Sequence, residues 1–196
     1  MAHAQPPDRG RGSSEIWSSR RTIERGEATM MTKIISATPG ISTTEAEVRR
    51  FLESNLNLQL ATLEEDNYPN INQVWFDYDK DSGKIYATTH KGSRKVQNIR
   101  RNPEKIYFSI DDENFSTEGL KGVKGRARAT IISEDRRKVI SVEEKICLKY
   151  LGTLDDPWAK QLMRNAADGT FLGIEIEPKF FSAYVLSKME EARSTS

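Results

Sequence analysis

The chain has 196 residues, 36% of them hydrophobic, and its 30 Lys and Arg nearly balance 29 Asp and Glu, for a formal charge of +1. That length supports one domain with a real core, while the charge balance lacks the basic excess of a dedicated nucleic-acid binder, and no apolar run reaches the length of a membrane span or a signal-peptide core. A single cysteine, Cys147, allows no internal disulfide, and without a Cys/His cluster there is no zinc-site pattern, so a cytoplasmic protein without a metal site is expected.

Residues 1–40 are rich in Ser, Arg, Gly and Pro and carry no lasting apolar periodicity. They are expected to be a disordered leader, or an upstream extension ahead of a start at Met30 or Met31. Asp8, Glu15, Glu24 and Glu27 argue against a targeting peptide. The folded domain is expected over 41–188, followed by a flexible tail, 189–196. Thr44 and Glu47 form a T-x-x-E capping box, and Val48, Phe51, Leu52 and Leu56 follow at helical spacing, predicting a helix over 44–55. Leu58–Leu63 reads as a strand. Ile71–Tyr78 alternates, with Val74, Phe76 and Tyr78 on one face and Gln73, Trp75 and Asp77 on the other; Lys84–Thr89 is the next strand.

That strand runs into a basic turn, Lys91-Gly92-Ser93-Arg94-Lys95, and a helix ending before Pro103. Gly92 is expected to let the backbone turn tightly, and Ser93 to cap the helix through its hydroxyl. Free N–H groups at a helix start, flanked by cations, make an anion site, read here as a phosphate cradle. The cations are not interleaved with exposed aromatics, as a single-stranded nucleic-acid surface requires.

Ile106–Ile110 is a further strand, and Asp111–Glu118 a solvated acidic loop. Leu120–Ile132 is a long strand with small residues (Gly125, Ala127, Ala129) on one face and Lys124, Arg126 and Arg128 on the other, which suggests a tightly curved sheet or room for a ligand. Ser133 is expected to cap a helix with Val139, Val142, Ile146 and Tyr150 inward. Asp156-Pro157 starts another, with Trp158, Leu162, Met163 and Ala166 inward. Strands over Thr170–Glu177 and Phe180–Leu186 close the chain. Six or seven strands without βαβ alternation, and without GxGxxG or GxxxxGK[ST], predict a mainly β fold with peripheral helices (α+β), a closed or partly closed antiparallel barrel. His90 reads as a solvent-facing loop histidine rather than a haem ligand, and Cys147 as a buried small apolar residue.

In order and spacing, LATL, NQVWF, KIYATT, the Thr89 and Gly92–Pro103 segment, IYFSI and GVKGRARAT resemble the pyridoxamine 5′-phosphate oxidase-like, FMN-binding split-barrel family, from about Glu45 to about Ser187. The resemblance implies a six-stranded antiparallel split β-barrel and a homodimer with cofactor at its interface. The cofactor would be FMN or the deazaflavin F420, with a minority of members binding haem or nothing. It implies that Lys91, Ser93, Arg94 and Lys95 hold the cofactor phosphate. Asn72, Gln73, Val74 and Trp75 would lie along the ring, Thr88 and Thr89 beneath the ribityl chain, and Arg126 would point toward the cofactor or substrate. FFSAYVLSKMEE stands where true pyridoxamine-phosphate oxidases carry an Arg-x-His-type substrate motif, so the resemblance extends to fold and cofactor class rather than to that substrate. The implied function is an oxidoreductase acting on a small organic substrate by hydride transfer; the alternative is a non-catalytic module that binds or senses a flavin-like or haem ligand.

Overall fold

A computed structural model describes residues 33–36, 43–112 and 120–185. Helix α1 (Glu45–Leu52) starts at the expected capping box: the Thr44 hydroxyl accepts from the Glu47 N–H at 3.2 Å, and the Glu47 carboxylate accepts from the Thr44 N–H at 2.7 Å. Its Val48, Phe51 and Leu52 are buried. The strands are β1 (Lys33–Ser36), β2 (Leu58–Leu63), β3 (Pro69–Val74), β4 (Asp77–Asp79), β5 (Lys84–His90), β6 (Ile106–Asp111), β7 (Leu120–Ile132), β8 (Phe171–Pro178) and β9 (Phe180–Val185). Helix α2 (Arg94–Arg101) follows β5, and α3 (Arg136–Leu151) and α4 (Pro157–Asp168) lie between β7 and β8. Among the described residues no helix is long and apolar enough to cross a membrane.

The strands form one sheet in the order β3-β2-β6-β7-β8-β5-β4, with β9 also paired to β7 and β1 parallel to β9. The two ends of this path, β3 and β4, are separated in the chain by only Trp75 and Phe76. A sheet whose opposite edges are joined by two residues must curl on itself, and this makes the split barrel. The path has seven segments rather than the six expected. The strand foreseen over Ile71–Tyr78 breaks at Trp75-Phe76, where it leaves β2 and joins β5. The break is satisfied from outside the sheet: the Tyr150 hydroxyl accepts from the Phe76 N–H at 3.3 Å and donates to the Leu56 carbonyl at 2.6 Å.

Val74, Phe76 and Tyr78 do share the barrel side, with Phe76 fully buried beside Leu58, Leu60, Ile85, Phe108, Ile174 and Ile176. Each fully buried side chain of this size contributes about 1.5–3 kcal/mol. The small face of β7 serves close packing: a Cβ on Gly125 would stand 2.1 Å from the Phe180 carbonyl oxygen, so only glycine lets β9 pass there.

Three expectations are corrected. α3 is capped by Asp135, whose carboxylate accepts from the Lys138 N–H at 3.0 Å; Ser133 lies ahead of the helix. Trp158 is 58% exposed rather than core, although Leu162 and Ala166 of α4 are buried as foreseen. β1 falls within the stretch assigned to the leader and joins the sheet. The rest of that stretch, the tail beyond Val185 and residues 113–119 of the acidic loop lie outside the described residues.

Candidate functional site

The end of β3, the adjoining bend, β5, α2, α3, α4 and the start of β8 line an open cavity of ≈ 390 Å³, within the range of small-molecule sites. Thr88 and Thr89 reach it at the strand's end with His90, while Ile85 and Ala87 stay in the barrel core. Trp75 stands at the bend and stacks on Tyr150 of α3, with ring centroids 4.8 Å apart and planes 4° from parallel. Across the cavity α4 supplies Trp158 and Leu162, and β8 supplies Phe171. The exposure of Trp158 is thus exposure toward the cavity mouth, which the helical periodicity of 157–168 did not reveal.

The cationic pole is Lys95. Its ammonium donates to the Thr89 hydroxyl at 3.1 Å, and burial lowers its pKa below that of an ordinary lysine. Three N–H donors on one ammonium leave capacity for an oxyanion. The Ser93 hydroxyl does not cap α2 as expected; it lies 3.2 Å from the Thr89 hydroxyl, so Thr89, Ser93 and Lys95 form one polar cluster at the helix start. Gly92 is also not the backbone necessity foreseen. Its φ is not positive, and an added Cβ would meet only the His90 ring, at 3.4 Å. The turn is closed by the Ser93 N–H to the His90 carbonyl at 2.9 Å, and it is tied to the β8 side by the Lys91 N–H to the Thr170 carbonyl at 2.9 Å.

The opposite pole is Glu143, a residue the sequence reading passed over. It is 1% exposed and lines the cavity from α3. Thr88 Oγ1 hydrogen-bonds to its carboxyl, and Cys147 Sγ approaches at 3.6 Å. Burial raises the Glu143 pKa above the ordinary carboxylate value, against the lowering effect of these two bonds. Burial, together with the neighbouring Glu143, pushes the Cys147 thiol up to about 12, so Cys147 is the inert buried residue foreseen rather than a nucleophile. A signal existed: Val139, Glu143 and Ile146 stand at i, i+4 and i+7, which puts the glutamate on the buried stripe of α3.

Of the residues singled out, Gln73, Val74, Trp75, Thr88, Thr89 and Lys95 come together at this cavity, with Ser93 joined to them through Thr89. The others do not line it. Asn72 pairs across from the buried Leu60 and donates to the Asn70 side chain. Arg94 turns outward, 68% exposed, and its guanidinium bonds Glu64 at 3.1 Å. Lys91 and Arg126 are exposed, and Arg126 stands opposite Tyr107 on the outer face of β7. His90 is exposed as expected but lies on the cavity rim, with Nδ1 accepting from the Gly92 N–H at 3.1 Å.

Comparison with known proteins gives a consistent picture. No curated protein matches this chain. A conserved hypothetical protein of Mycobacterium tuberculosis superposes with a TM-score of 0.65 at 23% identity, covering 78% of this chain and 91% of that one. A structure described as an F420 reductase gives 0.53 at 25% identity, covering 68% and 94%. HutZ, a haem storage protein of Vibrio cholerae, gives 0.55 at 16% identity, covering 74% and 95%. A family model described as pyridoxamine 5′-phosphate oxidase matches residues 44–179, which run from the cap of α1 to the β8–β9 junction and include every wall of the cavity. The chain belongs to the pyridoxamine 5′-phosphate oxidase family.

Proposed function

We propose that the chain is an oxidoreductase that holds a phosphorylated flavin-type cofactor, FMN or the deazaflavin F420, in the cavity beside β5 and serves hydride transfer to a small organic substrate. The observation that carries this reading is the meeting, in one cavity, of an aromatic wall (Trp75, Trp158, Phe171), two adjacent threonines and a half-buried lysine at a helix start. These residues fit a ligand with a planar ring, a hydroxylated chain and a phosphate. Lys95 and Ser93 would bind the phosphate, Thr88 and Thr89 the chain, and Trp75 the ring. Arg94, committed to Glu64, is left to strengthen the field from outside. When bound, the cofactor supplies the hydride chemistry. The protein's part is to orient the ring against Trp75, exclude water through Leu162 and Ile146, and neutralise the phosphate with Lys95. The same reading keeps the cytoplasmic location expected from the sequence.

A second copy is part of this proposal. Ile71 (64% exposed) and Tyr107 (40% exposed) both pair with Ala61, so they form one apolar row across β3, β2 and β6, two residues from Gln73. A homodimer would cover that row and bring partner residues to the open side of the cavity. Sedimentation as a monomer at micromolar concentration refutes this.

The test of function is an absorbance spectrum of the purified protein and parallel titrations with FMN and F420. Saturable binding of one, lost in Lys95→Ala and kept in Arg94→Ala, supports the proposal; binding of neither refutes it. The position of His90 on the rim favours one second reading, a haem-binding module, which a Soret band abolished by His90→Ala would identify.

A further inference from the structure

The Glu143 carboxyl is enclosed between β5 and α3, and among the described residues no cation pairs with it. It meets a hydroxyl from β5 (Thr88) and a thiol from its own helix (Cys147). The other titratable side chains on the cavity are Lys95, bonded to Thr89, and His90, bonded to Gly92; α4 and β8 contribute only apolar and aromatic groups there. A buried carboxyl without a counter-ion favours its neutral form.

The neutral form has a consequence for Thr88. A carboxylate only accepts hydrogen bonds, so beside it the Thr88 hydroxyl must spend its single proton on Glu143 and offers lone pairs alone to the cavity. A carboxylic acid donates, so the hydroxyl accepts from Glu143 and its own proton is free to point into the cavity. Thr88 is half-buried and lines the cavity, so either face it presents meets the ligand. We propose that Glu143 is a positioning residue: as a neutral acid it donates to Thr88 and turns that hydroxyl's proton toward a hydrogen-bond acceptor on the bound cofactor, and its ionisation reverses the polarity and weakens binding. This rests on the cofactor reading above.

Two measurements test it. The first needs no ligand. The infrared spectrum of the wild-type protein at about pH 6 should show a carboxylic-acid C=O stretch that is missing in Glu143→Gln, and a band that is the same in both overturns the proposal. The second is titration with FMN, and with F420 in parallel, from about pH 6 to about pH 9, a range that brackets displaced buried carboxyls. Wild-type affinity should fall by about ten-fold more than that of Glu143→Gln, the factor that corresponds to one pKa unit of differential interaction. The Gln amide, a permanent donor to Thr88, should keep the acidic-side affinity across the range. The other groups on the cavity and the phosphate are common to both proteins and cancel in the comparison. Should Glu143→Gln fail to fold, Thr88→Val removes the hydroxyl and should remove the same pH dependence while binding more weakly throughout. Parallel pH profiles in wild type and variant overturn the role of Glu143 and leave the cofactor reading standing. Binding of neither cofactor at any pH overturns both, and the infrared band then still reports whether the carboxyl is neutral.

Discussion

Glu175 on β8 receives the Lys84 ammonium of β5 and the Lys138 ammonium of α3, each at 2.7 Å, and the Tyr86 hydroxyl of β5 at 3.0 Å. One carboxylate thus ties three elements together, and α3 is the one that carries Glu143 and Ile146 to the cavity. Burial works against its ionisation, but the Lys138, Lys84 and Tyr86 hydrogen bonds outweigh burial and hold the carboxyl down at about 2, from an ordinary 4.5. Because the folded-state value is depressed, the stabilisation is complete above the unfolded-state value and is lost as pH falls from about 4.5 to about 2. At about 1.4 kcal/mol per pKa unit the cluster contributes about 3 kcal/mol at neutral pH, with the side chain 19% exposed. Glu175→Gln should therefore cost about 3 kcal/mol in urea unfolding at pH 7. It should also flatten the loss of stability of the wild type between about pH 4.5 and pH 2. Far-UV circular dichroism should report an intact barrel, while the fluorescence of Trp75 in a variant with Trp17 and Trp158 replaced by Phe should report a loosened α3. A cost below about 0.5 kcal/mol, the level of an exposed pair, or an unchanged acid limb, would refute the reasoning.

Further outcomes follow from the same geometry. Lys95→Met should weaken FMN binding by about thirty-fold, the weight of a charge-assisted hydrogen bond, and leave riboflavin, which lacks the phosphate, nearly unaffected in parallel fluorescence titrations. Because the Lys95 pKa is lowered, the cation is lost as pH rises, and phosphate-dependent affinity should fall at a lower pH than for a free lysine. Tyr150→Phe strips the acceptor from the Phe76 N–H and the donor from the Leu56 carbonyl and should cost about 2 kcal/mol in chemical unfolding, while the Trp75 stack persists in near-UV circular dichroism. Gly125→Ala forces a backbone shift against Phe180 and should cost about 3 kcal/mol, seen as a lower Tm.

Much of the barrel was legible because its signals are local. The T-x-x-E pair set the start of α1, Asp156-Pro157 set that of α4, the compact LQLATL run gave β2 and alternation gave β7, both with the bounds observed. What could not be read depends on partners distant in the chain. Alternation runs unbroken through Trp75-Phe76, and only the pairing of β3 with β2 and β4 with β5 shows the bend. Site residues on the basic turn were visible as charge, but charge alone could not tell Lys95, folded toward Thr89, from Arg94, drawn outward by Glu64, 30 positions earlier. Trp158 was misread because apolar spacing on a helix marks a cavity wall and a core in the same way. Glu143 was missed because only the apolar residues of α3 were taken to mark its inward face, and a charged residue among them was passed over.

The two helices between β7 and β8 leave and re-enter the sheet at neighbouring points, since Ile132 pairs with Gly173. They are in effect an enlarged hairpin loop. The ladders of β8 with β5 and β7 do not run through that loop, but Tyr150 at the β3–β4 bend, Thr170 at the basic turn and Lys138 at Glu175 tie it to them. Thr89, Ser93 and Lys95 belong to the frame; Glu143, Ile146, Trp158 and Leu162 belong to the loop. Evolution could therefore exchange the distal wall, and with it what is admitted, while the anchoring turn stays as it is. For an engineer the same division marks 133–170, with Lys138, Tyr150 and Thr170 retained, as the segment to vary when new specificity is sought on this scaffold.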